Sequence, residues 1–326
     1  ASQANLEASV EDRRDVLVSL LSEVALNYVD VRIYQSRLAV AEANLKSQEE
    51  THQLTLWRNQ AGLSDELAVK QARLNLESTR SKIPALKTGL EEAKNRIAVL
   101  LGEQPGKVSG ELAATRPIPV ASGNITAGVP ADILRRRPDI RKAERDLASQ
   151  TAQVGVATAD LYPKFKISGT LGVDALSLGN LFLSGSRSYG FGPTITIPIF
   201  AGGAIRQNIE VQSAVAEQYL IAYESAVLTA LEEVENALVA YEQEQLRKRA
   251  LADAADAAKE AARLAKIKYE SGLTDFTNVL DTERSLLSAE DELAQSEGTV
   301  TANLIRLYKA LGGGWTAAAD DSKQQK

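Results

Sequence analysis

What most restricts this chain is a seven-residue apolar rhythm that is written twice. Leu17, Leu21, Val24, Tyr28 and Val31 alternate spacings of four and three, the signature of a helical seam. The pattern breaks at Ala61-Gly62-Leu63-Ser64-Asp65. Gly62 suits the left-handed position past a helix end, and Ser64 or Asp65 suits the N-cap of the next helix. A return helix carries Val69, Leu76, Ile83, Leu90 and Ile97 and ends at Gly102; Pro84 inside it predicts a kink or one open backbone hydrogen bond. Val227, Leu231, Val234, Leu238 and Tyr241 repeat the first stripe 210 positions on. Ser271-Gly272-Leu273-Thr274-Asp275 repeats the turn, and Val279, Leu286, Leu293, Val300 and Leu307 repeat the return, ending at Gly312. Equal arms and shared turn chemistry make this a duplicated helical hairpin.

Sustained heptads impose a left-handed supercoil. Ala255, Ala258, Ala262 and Ala265 fill the seam between Leu251 and Tyr269, where small residues let helices approach closely. An arm from Gly203 to Gly272 spans about 100 Å at the helical rise, so the expected molecule is elongated. Aromatic residues make up only 5% of the chain and charged residues 25%, as in long coiled-coil helices.

One stretch breaks the helical rhythm. From Leu161 to Gly203, Phe165, Ile167, Leu171 and Val173 alternate with Lys166, Ser168 and Thr170. Tyr189, Phe191, Ile195, Ile197 and Ile199 alternate with Gly190, Gly192, Thr194 and Thr196. Period two with a Gly/Ser/Asn-rich connection predicts a β-hairpin. A lone hairpin cannot bury its apolar face, so it must meet other strands or a bilayer. The fold class is therefore mainly α: an elongated bundle of long coiled-coil helices, a duplicated helical hairpin, with one inserted β-hairpin.

The expected order is a first helical hairpin over 1–102 and an irregular Pro/Gly-rich connector over 103–137. A lead-in helix and β-hairpin follow over 138–210, with strands at about 164–174 and 188–199. The lead-in helix starts with Pro138 in its first turn and carries Ile140, Leu147, Val154 and Leu161. The second helical hairpin covers 211–315, and a polar, disordered tail 316–326. The repeat offset places Ala1 opposite Val211, so a first β-hairpin and its lead-in helix are expected to precede Ala1. Met is absent even at position 1, which agrees with a natural start upstream.

Several function classes fall away. There is no cysteine for a disulfide or thiolate site, and His52 is the single histidine, on an Arg/Gln/Thr-rich helix. No catalytic cluster, metal site or cofactor is expected, and the chain does not read as an enzyme. A net charge of −6 gives no basic patch for nucleic acid. No run of 18 apolar residues exists for a membrane helix.

Four segments carry a resemblance. They are Val129 to Ile140 (VPADILRRRPDI), Ala159 to Lys164 (ADLYPK), Pro198 to Gly203 (PIFAGG) and Leu307 to Trp315 (LYKALGGGW). Together they resemble the outer-membrane efflux family, the TolC-type channels of Gram-negative bacteria. The likeness is closest to the lipoprotein branch that partners resistance–nodulation–division pumps, and it covers Ala1 to Trp315. It implies a homotrimer in which each protomer gives four strands to a twelve-stranded barrel and helices to a periplasmic tunnel. A periplasmic adaptor and an inner-membrane pump dock on that tunnel. The implied function is the outer-membrane channel of a tripartite efflux system, a passive duct for drugs, metal ions or other small molecules. The implied location is the outer membrane with a long periplasmic extension, in contact with outer-membrane lipid. With the N-terminal Cys, first helix and first hairpin of the family missing, three copies would give six strands, fewer than the about eight of the smallest barrels. This shorter chain is expected to be soluble, to lose or alter its trimerisation and not to conduct.

The resemblance also implies site residues. Thr277, Asn278 and Asp281 fall at the pore constriction, and Tyr269 and Thr274 at latch-like positions of the gate. Three Asp281 carboxylates around a threefold axis would form a cation-binding, voltage- and pH-sensitive ring; the alternative is a solvated helix-face carboxylate. Gly62, Leu63, Ser64, Gly272 and Leu273 are adaptor-contact tips, though turn chemistry alone accounts for the glycines. Arg135-Arg136-Arg137 reads either as an anionic-lipid patch or as a structural turn. Competing readings are a periplasmic adaptor, which has one helical hairpin where this chain has two, and a coiled-coil scaffold, which leaves the amphipathic strands unexplained.

Overall fold

A computed structural model describes residues 1–120, 136–177, 179, 182 and 184–313. The disordered tail expected at 316–326 lies outside the described residues, as do parts of two family-like motifs. Helix α1 (Ser2–Gln60) and α2 (Glu66–Leu100) form the first hairpin. After the connector come α3 (Pro138–Ala159), strands β1 (Lys164–Val173) and β2 (Arg187–Thr196), then α4 (Ala204–Glu270) and α5 (Phe276–Ala310). Among the described residues no helix is long and apolar enough to cross a membrane.

The chain divides into two compact units that cut across the repeat. Ala1–Asp12 and Pro138–Leu228 form one; Arg13–Arg137 and residues from Thr229 onward form the other. In the first unit, α3 lies against the start of α1 through Lys142–Asp12 at 2.6 Å and Arg145–Glu7 at 3.3 Å, and reaches α4 through Gln150–Gln212 at 2.8 Å. The strands pair antiparallel, with Phe165 opposite Ile195, Gly169 opposite Phe191 and Leu171 opposite Tyr189. Because side chains alternate faces, this register gathers both apolar sets on one side and Lys166, Ser168, Thr170 and Thr194 on the other. Both strands end earlier than expected, at Val173 and Thr196, because Ile197 to Ile199 run past the end of the ladder at Lys164.

In the second unit the return helices bury part of the stripes their heptads predict and leave Val69, Ile83, Leu90, Leu286, Leu293 and Val300 half-buried. Val279 and Leu307 are almost fully covered, as are Leu76 and Ile97 on α2. The α1 stripe departs from expectation: Val31 is buried, but Leu17 and Leu21 are exposed, and Val18, Ser22 and Val29 turn inward instead. Further along, α1 buries Asn44, Gln48, Thr51 and Thr55 at spacings of four, three and four, a seam written in polar residues. The second of the two expected outcomes, an open backbone hydrogen bond, holds at Pro84. The helix α2 runs unbroken through it with the ring facing solvent, so only the hydrogen bond that Pro84 cannot donate is missing.

The described part of the connector, residues 103–120 and 136–137, is irregular but stitched down. Arg32, 1% exposed, donates to the Ala114 carbonyl at 2.7 Å and sits 4.7 Å over the Tyr28 ring. Gln35 donates to Leu112 O at 2.8 Å, Thr301 to Pro119 O at 2.7 Å, and Val108 fills the cluster of Val31, Ala93, Ile97 and Ala98. Of the Arg-Arg-Arg run, Arg135 lies outside the described residues and Arg136 is exposed. Arg137 is buried and bonds the Ala310 carbonyl at the end of α5 at 2.8 Å, which favours the structural reading at that residue.

Candidate functional site

The two helical-hairpin tips are built by the same backbone device. Gly62 and Gly272 take φ of 71° and 73°. Each lets the next residue's N–H reach back five positions: Leu63 to Arg58 O and Leu273 to Lys268 O, both at 2.8 Å. Both leucines are left exposed, at 67% and 77%. Ser64 is half-buried, and its carbonyl accepts from Asn59 at 2.9 Å across the turn.

Side chains then make the tips different. At the second, Tyr269 and Phe276 meet edge to face with centroids 5.6 Å apart, inside a cluster with Ala68, Ala72, Ala265, Val279 and Leu280. Arg58 lies 4.7 Å over the Tyr269 ring, and its guanidinium donates to Glu270 O. Tyr269, a latch-like position by resemblance, is 3% exposed, and its hydroxyl has no hydrogen-bond partner among the described residues. At the first tip the repeat-related positions are Asn59 and Glu66, so no aromatic pair forms there.

The caps differ as well. Asp65 accepts from Ala68 N–H at 2.8 Å, whereas Asp275 makes no side-chain cap bond. Asp65→Ala should therefore lower stability by about 1 kcal/mol and Asp275→Ala by almost nothing, measured as paired thermal unfolding curves. Equal losses would contradict the geometry.

Beyond the second tip, Thr277, Asn278 and Asp281 share one exposed face of α5. Asn278 Nδ2 donates to Thr274 Oγ1 at 2.7 Å, tying that half-buried latch candidate to the same face. Asp281 has no ion-pair partner among the described residues, so its carboxylate is presented to whatever faces it. Thr277, Asn278, Asp281 and Thr274 thus come together, while Tyr269 is set apart in the core.

The heptad reading missed a buried carboxylate two residues beyond Asp281, about half a turn around α5. Glu283, 7% exposed, points into the bundle and accepts from Thr51 Oγ1 at 2.7 Å and Asn75 Nδ2 at 3.1 Å. Burial pushes its carboxyl above the usual range; the bonds from Thr51 and Asn75 and the charge of Lys266 pull the other way. Its two-residue spacing from Asp281 and an apolar seam on both sides were the available signals. Among the described residues no group of three His, Cys, Asp or Glu side chains could hold a metal ion.

The outer membrane efflux protein family matches residues 1–103 and 129–313. Nodulation protein T of Rhizobium leguminosarum bv. trifolii is 36% identical over 324 residues, covering 98% of this chain and 68% of that protein. The solvent efflux pump outer membrane protein SrpC of Pseudomonas putida is 32% identical over 312 residues, covering 95% and 66%. The solved structure of the outer-membrane channel OprN superposes with a TM-score of 0.89 at 40% identity, covering 96% of this chain and 70% of that one. The chain spans about two thirds of the length of the curated relatives it matches.

Proposed function

Because the chain belongs to the outer membrane efflux protein family, we propose that it is the helical and part-barrel portion of an outer-membrane efflux channel. The observation that carries this reading is the β-ribbon. Each strand has 10 residues, the length a tilted strand needs to cross the hydrocarbon core. Its apolar face is turned outward without cover, Phe165 at 77%, Ile167 at 72%, Tyr189 at 85% and Phe191 at 79% exposed. A ribbon that exposes this much apolar surface is suited to lipid on that face and to a wet lumen on the Lys/Ser/Thr/Gly face.

The pore is formed by three copies, and Thr277, Asn278 and Asp281 line its narrow end. The exposed tip leucines Leu63 and Leu273 meet a periplasmic adaptor, with an inner-membrane pump supplying the cargo. The duct itself does no chemistry and imposes little choice of substrate. The test is the full-length gene product in a planar bilayer. Conductance is expected, and Asp281→Ala should raise it or weaken block by divalent cations. A conducting protein whose current and block are both unchanged by Asp281→Ala removes that residue from the pore; no conductance at all removes the channel reading.

A further inference from the structure

Glu283 sits where three helices meet. Thr51 comes from α1, Asn75 from α2 and Glu283 from α5, and the first two are 1% and 4% exposed. The cluster is closed by Arg284 Nε, which donates to Asn75 Oδ1 at 3.3 Å. Its hydrogen count is informative. Thr51 Oγ1 lies 2.7 Å from Glu283 Oε1 and also 3.0 Å from the Ser47 carbonyl. A hydroxyl has one proton to give, so it cannot donate to both.

With Glu283 protonated, both contacts are satisfied: the carboxyl O–H donates to Thr51, and Thr51 donates to Ser47. With Glu283 ionised, Thr51 must turn its proton to the carboxylate and release Ser47. A charge is then left on a side chain only 7% exposed.

We propose that Glu283 is a positioning residue that holds the stretch of α5 bearing Thr277, Asn278 and Asp281 on its exposed side against the α1–α2 hairpin. Gaining one proton tightens that hold, and losing it loosens the hold. The hold needs only the geometry of this chain; its consequence for a pore rests on the channel reading above. Of the charged groups around it, α4 presents Lys266, which is ion-paired with Glu50 of α1 at 3.2 Å, and α5 presents Arg284. The contacts from α1 and α2 themselves, Thr51 and Asn75, do not titrate.

The sign follows from the raised carboxyl. A group that binds its proton more tightly folded than unfolded adds stability that is full below its ordinary value of 4.5. That stability is lost as pH rises through the folded value. Glu283→Gln mimics the protonated form, since its amide can donate to Thr51 and accept from Asn75. Wild type and Glu283→Gln should therefore melt together at acidic pH, with wild type falling several degrees below the variant toward pH 8.

A second measurement needs no change at 283. The chain contains no cysteine, so Leu63→Cys and Leu273→Cys can carry a unique pair of spin labels. The label-to-label distance distribution should broaden from pH 5 to pH 8 in the otherwise wild-type chain. It should stay narrow when Glu283→Gln is added. A melting difference independent of pH, or a tip distance blind to pH, overturns the proposal. Neither readout uses conductance, so failure of the Asp281 assignment and failure of the Glu283 assignment are separable.

Discussion

Arg137→Met should cost the second unit about 3 kcal/mol and lower its melting temperature by several degrees. The side chain of Arg137 is 9% exposed; one guanidinium nitrogen donates to Ala310 O at 2.8 Å and another to Glu233 at 2.6 Å. The first bond satisfies a carbonyl in the last turn of α5, a group with no intrahelical partner. Removing the donor strands that carbonyl in a buried place, a loss of about 1–3 kcal/mol, and removes a charge-assisted bond worth about as much. The same residue packs on Gly312, whose φ of 72° ends the helix; a Cβ there would come within 3.1 Å of Arg137 Cγ. Arg137→Lys should recover only part of the loss, because an ammonium cannot span both acceptors as the planar fork does. Denaturant unfolding of the three proteins is the check. A Met variant as stable as wild type would mean that the end of α5 does not depend on this cap.

The duplication, the tips and the return-helix seams could be read from the sequence because they are built from the signals such a reading uses: Gly at a left-handed turn, and Val, Leu and Ile at heptad spacing. The part that could not be read has the same geometry in different chemistry. Asn44, Gln48, Thr51 and Thr55 keep a helical-seam spacing, but their polarity hides it from any count of apolar periodicity. Their burial is tolerated because partners come from distant segments, as Glu290 does for Asn44 at 2.7 Å and Glu283 for Thr51. The reverse error occurred at Leu17 and Leu21, which have the right spacing but are exposed in this chain. For the candidate pore face, the residue types and their helix could be read. The burial of Tyr269 could not, because it depends on Phe276 and on Ala68 and Ala72 of the other hairpin.

The sharpest packing prediction concerns two helical glycines. Ile33 and Tyr34 are neighbours on α1, and each rests on a glycine of a different helix. A Cβ added at Gly298 of α5 would overlap Cγ1 and Cδ1 of Ile33, and one at Gly89 of α2 would lie 2.5 Å from the Tyr34 ring. Helix propensity alone says that Gly298→Ala should gain about 1 kcal/mol. Here the sign should reverse. Ile33 is 6% exposed and branched at Cβ, so it has little freedom to swing aside. Overpacking costs about 1–3 kcal/mol for a small excess and more for a larger one, so Gly298→Ala should be destabilising and Gly298→Val should lose 3 kcal/mol or more. Ile33→Ala alone should cost about 2–5 kcal/mol through the cavity it leaves. In the double variant the new methyl enters that cavity, so the combined loss should fall short of the sum by about 1–2 kcal/mol, a coupling expected only for residues in contact. Strict additivity would place Ile33 and Gly298 out of contact, and a stabilised Gly298→Ala would show that α1 and α5 do not approach this closely.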